Sequence, residues 1–416
     1  MSNAAAVPAI LSGIRVLDMS RVLAGPWSAQ LLADFGAEVI KIERPNVGDD
    51  SRTWQPSFES TLQPGVKQTA YFCSANRGKK SVTIDFSQPE GAELVRELVK
   101  TADVLVENYV VGTLARYGLD FEALQKINPR LIFCSVTGFG QTGPYAARGG
   151  YDYIAQAYGG LMSITGQPDV LPDGRPGSGP LRVGMPIMDV MTGVYAALSI
   201  MGALRHRDLT GKGQHIDLAL LDVTVFTLSY TALSYLASGK VPLRVGNGSP
   251  IVAPSNSFPT ADGWVALMVG TDAQFLRFCT ALGHPEWAQD ARFPTSLLRV
   301  QNVVALEALV MEVLATNTSA HWVALLEEAG VPCGQINDMA GVFTDPQVAE
   351  RGGLQKVTHP VMGELPVLAN PMHMSAAPVK YDIPPPMLGE HTEEVLTALL
   401  GKTGEQIRQL RARKVL

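Results

Sequence analysis

Short apolar runs alternate with helical patterns through the first half of the chain. Residues 14–18 and 38–43 are predicted to be buried strands, and residues 27–35 between them are predicted to be a helix. Pro26 suits the first helical position and Gly36 suits the C-terminal cap. A strand, a helix and a second strand in this order predict a βαβ unit and therefore a parallel sheet. Further strands are predicted at 81–85, 103–107, 130–136 and 215–220, and an amphipathic helix at 89–101.

The pattern changes near residue 238, where Gly and Pro become frequent. Two paired strands around a turn at 261–263 are followed by helical patterns at 273–282, 303–314 and 319–329. We therefore predict an α/β protein with a large Rossmann-like domain and a smaller α+β domain. The predicted boundaries are 1–237 for the large domain, completed by 358–416, then 238–251 for a linker and 252–357 for the small domain.

One acidic residue, Asp189, stands alone in the apolar stretch 184–193. The residues that follow it, 192–204, are apolar nearly all round, which is typical of a buried helix. Asp189 can cap this helix as its N-cap residue. Alternatively, it is a poorly solvated nucleophile that attacks a carbonyl. The two interpretations are compatible. Asp152 is a second isolated acid, interpreted as a helix cap.

Several predicted strands end in polar or glycine-rich segments, where open α/β sheets bind their ligands. Six basic residues lie in or near these segments and are either a phosphate-binding rim or solvated surface charges. They are Arg44, Arg77, Lys79, Lys80, Arg116 and Arg148. The first turn lacks the glycine pattern of dinucleotide-binding proteins, which argues against a nicotinamide or flavin cofactor.

Composition and charge exclude several classes of protein. The net charge of −6 and the absence of basic runs argue against nucleic-acid binding. The four cysteines lie far apart and the seven histidines lack metal-ligand spacing, so no metal site and no disulfide framework are expected. The start of the chain has no basic segment, and no stretch reaches about 18 uninterrupted apolar residues. We expect a cytoplasmic protein without a membrane anchor.

The chain resembles the class III CoA-transferases, the family of formyl-CoA transferase, from Gly13 to the C-terminal helix. The order and spacing of several motifs carry this resemblance: 21–26, 36–45, 102–108, 138–144, Asp189 before Thr192-Gly193, and 388–391. Regions 76–80, 342–348 and 388–392 look like the succinyl-CoA:dicarboxylate transferases, including the glutarate type.

The resemblance implies two chains threaded through each other as linked rings, a homodimer. It makes Asp189 the catalytic residue. The positions that match CoA-binding residues are Val22, Ala24, Arg44, Ile84, Asn108, Tyr109 and Arg116, with Arg148 near a basic position of the family. Tyr151 matches a tyrosine of the transferases, and Arg148 and Arg182 are candidates for holding the distal carboxylate of a dicarboxylic acid.

Two departures from formyl-CoA transferase argue against formate or oxalate as the substrate. The family's glutamine in the first turn is Leu23 here. Only Gly246, Gly248 and the residues around them remain of its glycine-rich loop, and Gly248 is the substrate-binding candidate among them. We therefore expect CoA to pass from an acyl-CoA, succinyl-CoA in particular, to a dicarboxylic acid.

The expected chemistry needs only a carboxylate. Asp189 would form an anhydride with the donor and then an aspartyl-CoA thioester. With its reference pKa of about 3.9, an Asp is ionised at neutral pH and needs no general base. The alternatives are an acyl-CoA racemase, a CoA-binding protein without catalysis, and a nicotinamide dehydrogenase. Racemases of this fold carry a His where Tyr151 stands, and tyrosine is a poor proton acceptor at neutral pH.

Overall fold

The computed structural model describes residues 8–171 and 173–416 of the chain. The strands of these residues are β1 (Arg15–Asp18), β2 (Glu38–Glu43), β3 (Ser57–Glu59), β4 (Lys67–Thr69), β5 (Lys79–Thr83), β6 (Val104–Glu107), β7 (Ile132–Thr137), β8 (His215–Ala219), β9 (Ser255–Pro259), β10 (Trp264–Met268), β11 (Cys333–Gln335), β12 (Leu354–His359) and β13 (Gly363–Leu368).

The helices of the same residues are α1 (Ala24–Asp34), α2 (Ala70–Ala75), α3 (Pro89–Val99), α4 (Phe121–Ile127), α5 (Asp152–Tyr158), α6 (Leu161–Ile164), α7 (Ile187–Thr210), α8 (Leu220–Thr227), α9 (Ser229–Ser238), α10 (Asp272–Ala281), α11 (Ser296–Gln301), α12 (Val303–Leu314), α13 (Ser319–Glu328), α14 (Met339–Thr344), α15 (Pro346–Glu350), α16 (Thr392–Leu400) and α17 (Gly404–Ala412).

A six-stranded sheet forms the centre of the larger of two units. Its strands run in the order β5-β2-β1-β6-β7-β8, and every neighbouring pair is parallel. The mixed α/β fold with a large parallel sheet is thus confirmed. One core lies between this sheet and helices α3, α4, α16 and α17, with Leu98, Leu124, Leu396 and Ile407 all buried. The last two helices of the chain therefore complete the core of the larger unit.

The smaller unit is built on a three-stranded antiparallel sheet in the order β11-β10-β9. Its core is rich in aromatic side chains, among them Phe258, Phe275 and Phe293. The fully buried Arg299 lies over the ring of Phe275 and is held by Asp272 and by the carbonyl oxygen of Ala253. An antiparallel sheet covered by helices is the α+β arrangement.

The boundaries of the two units differ in detail from the predicted domains. The larger unit comprises residues up to Gly159, Gly184–Ser229 and Pro346–Leu416, and the smaller unit comprises Gly160–Val183 and Tyr230–Asp345. The segment 160–183, predicted within the large domain, belongs to the smaller unit instead. Two contacts are consistent with this assignment. Val170 and Pro176 form a β-bridge within the segment, and Asp169 forms an ion pair with Arg244 of the smaller unit.

Helix α7 meets the length and composition of a membrane span, although the sequence pattern predicted no anchor. The described residues contain one helix of this kind. Two pairs of consecutive helices, each pair joined at a bend, would raise the number to three if each pair formed a single span. In the structure, α7 packs against α1 and β7, and part of its apolar surface is buried there. Other apolar side chains of α7, such as Leu198, are exposed.

Candidate active site

Asp189 is the third residue of α7 and not its N-cap, so the capping interpretation was wrong. The N-cap position is occupied by Pro186, which offers no side-chain hydrogen bond. Asp189 is only 9% exposed. In the described part of the chain its carboxylate forms no ion pair and accepts no hydrogen bond. Burying a carboxylate without a partner lowers the stability of the folded state. A residue with a purely structural role rarely does this, so the burial favours a functional role for Asp189.

A glycine brings this carboxylate against the start of another helix. Gly193 lies one turn after Asp189, on the same face of α7. A Cβ atom at Gly193 would stand 2.8 Å from the carbonyl oxygen of Ala24 and 2.9 Å from the ring of Trp27. Only a residue without a side chain permits this approach, so α7 and α1 pack closely at the point from which Asp189 projects.

A second close approach forms the opposite wall of the site. A Cβ atom on Gly138, directly after β7, would lie 2.5 Å from the Cα atom of Gly150. This backbone contact holds the loop that carries Arg148 and Tyr151 at the carboxyl end of the sheet. A cavity of about 150 Å³ results. Its lining includes Asp189 and six residues predicted to bind CoA or substrate: Val22, Ala24, Asn108, Tyr109, Arg148 and Tyr151.

A neighbouring cavity of about 260 Å³ continues the site along the sheet edge. It is lined by Arg44 and Ile84, two further residues predicted to bind CoA. Both cavities are lined by Arg21 and Tyr109, and the Arg21 guanidinium lies 5.0 Å from the centre of the Tyr109 ring. The two spaces thus adjoin at this pair and offer an elongated site with Asp189 at one end and Arg44 at the other.

The turn that lines both cavities is held in an unusual conformation. Val22 has a φ of 71°, a region that β-branched residues rarely adopt. Its N–H donates to both carboxylate oxygens of Asp49, at 3.1 and 3.2 Å. The Asn108 side chain accepts from the N–H of Arg21 and donates to its carbonyl oxygen. Since both polar ends of Asn108 are used, its evident role is to fix this turn.

A buried ionic network supports the same turn from below. The Lys41 ammonium lies 2.9 Å from Asp49 and donates to the Ser20 carbonyl oxygen. Lys79 lies 2.7 Å from Asp18, and all four charged side chains are fully buried. Although burial acts in the opposite direction, the charge of Lys41 holds the pKa of Asp49 far below its usual range. The network is therefore structural and orders one wall of the cavities.

The electrostatics of Asp189 differ from the sequence expectation. Burial, and secondarily the negative charge of Asp152, raise the pKa of Asp189 to about 7. The expectation that its reference pKa keeps it fully ionised at neutral pH was therefore wrong. Asp189 is therefore readily protonated near neutral pH, unlike an exposed aspartate. A desolvated carboxylate is also more basic and loses less solvation when it attacks a carbonyl carbon.

Three of the six basic residues of the predicted rim are occupied elsewhere. Arg77 is buried against Asp34, Lys79 pairs with Asp18, and Lys80 pairs with Glu38 and Glu394. These contacts are long-range in sequence, and therefore the strand-end pattern could not reveal them. Arg116 is exposed in a short 3₁₀ helix, Leu114–Tyr117, next to the second cavity but does not line it. Arg182 and Gly248 belong to the smaller unit, and their assignment to the substrate stays a prediction.

The structure adds three residues that sequence reasoning did not assign to the site. Arg21 forms an ion pair with Asp50 across the mouth of the first cavity, with both side chains nearly half exposed. Burial and the charges of Asp189 and Asp152 raise the pKa of Tyr71 to about 12, so its phenol lies within electrostatic range of both acids. Asp152 is recognisable in the sequence as an isolated acid, but only the folded structure shows that it contacts α7.

The chain belongs to the CoA-transferase family III, whose sequence profile matches residues 11–392. It is 44% identical to the succinate–glutarate CoA-transferase of Agrobacterium fabrum over 94% of this chain and 95% of that protein. It is 40% identical to the human succinyl-CoA:glutarate CoA-transferase over 94% of this chain and 86% of that protein. The predicted family and the predicted enzyme class are confirmed.

A solved structure shares this fold over most of the chain. The crystal structure of a CAIB/BAIF family protein from Brucella suis covers 94% of this chain and 100% of its own, with 45% identity and a TM-score of 0.84. The fold of this chain has therefore been determined by crystallography in a protein that is 45% identical to it.

Proposed function

We propose that this protein transfers CoA from succinyl-CoA to a dicarboxylic acid, with Asp189 as the covalent nucleophile. One observation carries the proposal. The Asp189 carboxylate is buried and has no partner among the described residues, and it lines a cavity that adjoins the space lined by Arg44. The relatives named for succinate and glutarate support the choice of substrates.

The reaction proceeds through two kinds of intermediate on Asp189. The carboxylate attacks the thioester carbonyl of the donor, the carbon–sulfur bond breaks, and CoA leaves as a thiolate. The product is a mixed anhydride. The thiolate then attacks the aspartyl carbonyl, which releases the donor acid as a carboxylate and leaves an aspartyl-CoA thioester. The acceptor carboxylate reverses both steps, so every bond and charge balances without proton transfer.

The start of α1 is suited to stabilising the negative charge that develops on the carbonyl oxygen. The first N–H groups of a helix have no partner within the helix and carry its positive dipole end. Leu23 is the N-cap of α1 without a side-chain hydrogen bond, and Leu23 and Ala24 line the cavity with Asp189. Their N–H groups are the candidates for the oxyanion site.

Arg148 is suited to hold the distal carboxylate of the substrate. Its guanidinium lies 3.9 Å from the ring centre of Tyr145 and within 3.5 Å of the Tyr158 hydroxyl. These contacts hold the charge in place while it lines the cavity with Asp189. A dicarboxylate that presents one end to Asp189 needs such a partner for its other end, because an unpaired carboxylate is disfavoured in a partly dry site.

The proposed assembly is the interlocked homodimer, in a cytoplasmic protein. The larger unit exposes several large apolar side chains that a second copy would cover. Those on α7 and α8 are Val194, Leu198, Leu209, Val225 and Phe226. Such an apolar surface is uncommon on a monomer and typical of an obligate interface.

The proposed reaction is tested by trapping. After incubation with succinyl-CoA, hydroxylamine should convert the acylated Asp189 to a hydroxamate that peptide mass spectrometry locates. Asp189→Ala and Asp189→Asn should yield no hydroxamate and no glutaryl-CoA when glutarate is added. Substantial CoA transfer by the alanine variant would refute the role of Asp189. Inversion of a chiral acyl-CoA without CoA transfer would favour the racemase instead.

A further inference from the structure

Asp152 is a second buried carboxylate beside the proposed nucleophile, and its contacts reach a helix other than its own. It is the first residue of α5 and is 7% exposed. Its Oδ1 atom accepts the N–H of Met188 at 2.7 Å and the N–H of Asp189 at 3.3 Å. Both donors lie in the first turn of α7.

These bonds supply the cap that α7 lacks. Pro186 at its N-cap has no side-chain acceptor, so the first N–H groups of α7 need one from elsewhere. Asp152 provides it across 37 residues of sequence. The other carboxylate oxygen of Asp152 accepts from Gln156 Nε2 at 2.6 Å, and Gln156 is fully buried one turn along α5. The acceptor is therefore fixed from both sides.

We propose that Asp152 is a positioning residue of the transfer reaction, which fixes the helical turn that carries Asp189 and places a second negative charge beside it. This inference rests on the proposed role of Asp189. Nothing in the sequence pattern or in the relatives' names assigns Asp152 a part in the reaction.

In the part of the chain that the structure describes, no cation offsets the effect of the Asp152 charge on Asp189. The other titratable or charged groups on the surrounding elements are Tyr71 and Cys73 on α2, Asp34 on α1, Tyr153 and Tyr158 on α5, Tyr195, Arg205, His206, Arg207 and Asp208 on α7, Asp222 on α8, Cys134 on β7, His215 and Asp217 on β8, and Arg21, Asp50, Arg148 and Tyr151 in the loops. Among the described residues, Asp152 is the charge that adds to burial in raising the pKa of Asp189. The same carboxylate therefore orders the nucleophile and makes it more basic.

Two substitutions separate these contributions. Asp152→Asn keeps an oxygen that can accept the N–H of Met188 and removes the charge; its amide N–H group can donate to the Gln156 side-chain carbonyl oxygen once the Gln156 amide turns over. Asp152→Ala removes both. The measurement is kcat/KM for CoA transfer from succinyl-CoA to glutarate between pH 5 and pH 9, with Asp189→Ala as the inactive reference and thermal unfolding as the check on folding.

The acidic limb of the wild-type profile should have its midpoint near the pKa of Asp189. Asp152→Asn should move this midpoint down by at least about half a pH unit, because a like charge has gone. Asp152→Ala should lower kcat by about ten- to a hundredfold, through loss of position, and Asp152→Asn should lower it less. An unmoved midpoint in Asp152→Asn would reduce Asp152 to a structural cap and overturn the proposal, as would an unchanged kcat in Asp152→Ala.

A direct titration keeps this test independent of turnover. In protein labelled with 13C at aspartate carboxyl groups, the Asp189 signal is identified by its absence in Asp189→Asn. Its titration midpoint should fall in Asp152→Asn even if the substrates are not those proposed. A midpoint that moves without any CoA transfer by the wild type would refute the proposed reaction while supporting the electrostatic role of Asp152.

Discussion

The Lys41 ammonium lies 2.9 Å from the Asp49 carboxylate in a fully buried ion pair, and Asp49 in turn holds the N–H of Val22 at the cavity wall. Replacing Lys41 by Met leaves Asp49 and Asp18 with too little positive charge. We expect a loss of roughly 3–5 kcal/mol in the free energy of unfolding, since breaking a buried pair strands a charge. Urea denaturation measures it.

An exposed ion pair of similar length is the control for that substitution. Lys67 lies 2.6 Å from Glu59, and both side chains are more than half exposed. Lys67→Met should change the free energy of unfolding by less than about 1 kcal/mol. Equal losses in the two variants would show that the buried network contributes no more than a surface pair.

Asp189 should destabilise the folded state at alkaline pH. Because the folded-state pKa is about 7 and the ordinary value is 3.8, ionisation opposes folding increasingly as the pH rises through this window. Asp189→Asn should therefore stabilise the protein, by roughly 2 kcal/mol at pH 5 and roughly 4 kcal/mol at pH 8. Denaturant unfolding at the two pH values checks this.

The exposed Asp222 on α8 provides a matched aspartate for comparison. Asp222→Asn should leave the free energy of unfolding within about 0.5 kcal/mol at both pH values. A gain in Asp189→Asn that is the same at pH 5 and pH 8 would contradict the raised pKa.

Arg44 should govern affinity for the acyl-CoA more than Arg116 does. Arg44 lines the second cavity and Arg116 does not. A charge-assisted contact with a phosphate contributes about 1.5–3 kcal/mol, so Arg44→Ala should raise the KM for succinyl-CoA about ten- to a hundredfold. Arg116→Ala should have a smaller effect. Lys80→Ala is the control, because Lys80 is engaged with Glu38 and Glu394. A loss of kcat alone in Arg44→Ala would place the ligand elsewhere.

Arg148 should discriminate dicarboxylic from monocarboxylic acceptors. Arg148→Ala should lower kcat/KM for glutarate about tenfold or more, with little change for valerate. Arg148→Lys should recover only part of the difference, because Lys lacks the planar guanidinium. If the wild type uses valerate as well as glutarate, the site has no distal-carboxylate partner and this assignment falls.

The proposed linked rings should not exchange subunits. Two differently tagged preparations, mixed under native conditions, should yield no doubly tagged dimer over days, because separation requires unfolding. Mixing after denaturation and refolding is the positive control. Rapid exchange of native protein, or a monomer in sedimentation, would rule out the threaded dimer.

The sequence alone determined the parallel sheet, the enzyme family and the prominence of Asp189. These are local properties: apolar runs with Gly and Pro at their ends predict β1, β2 and α1, and short motifs such as 21–26 keep their order along the chain. An isolated acid in an apolar stretch is visible without any knowledge of its neighbours.

Only the tertiary structure decided which charged groups meet. Lys79 and Asp18 are 61 residues apart in sequence, and their pairing removed Lys79 from the predicted phosphate rim. Asp152 caps α7 rather than its own helix, and its charge together with burial gives Asp189 a pKa of about 7. Pairing and desolvation depend on distances in space, which periodicity and residue type do not encode.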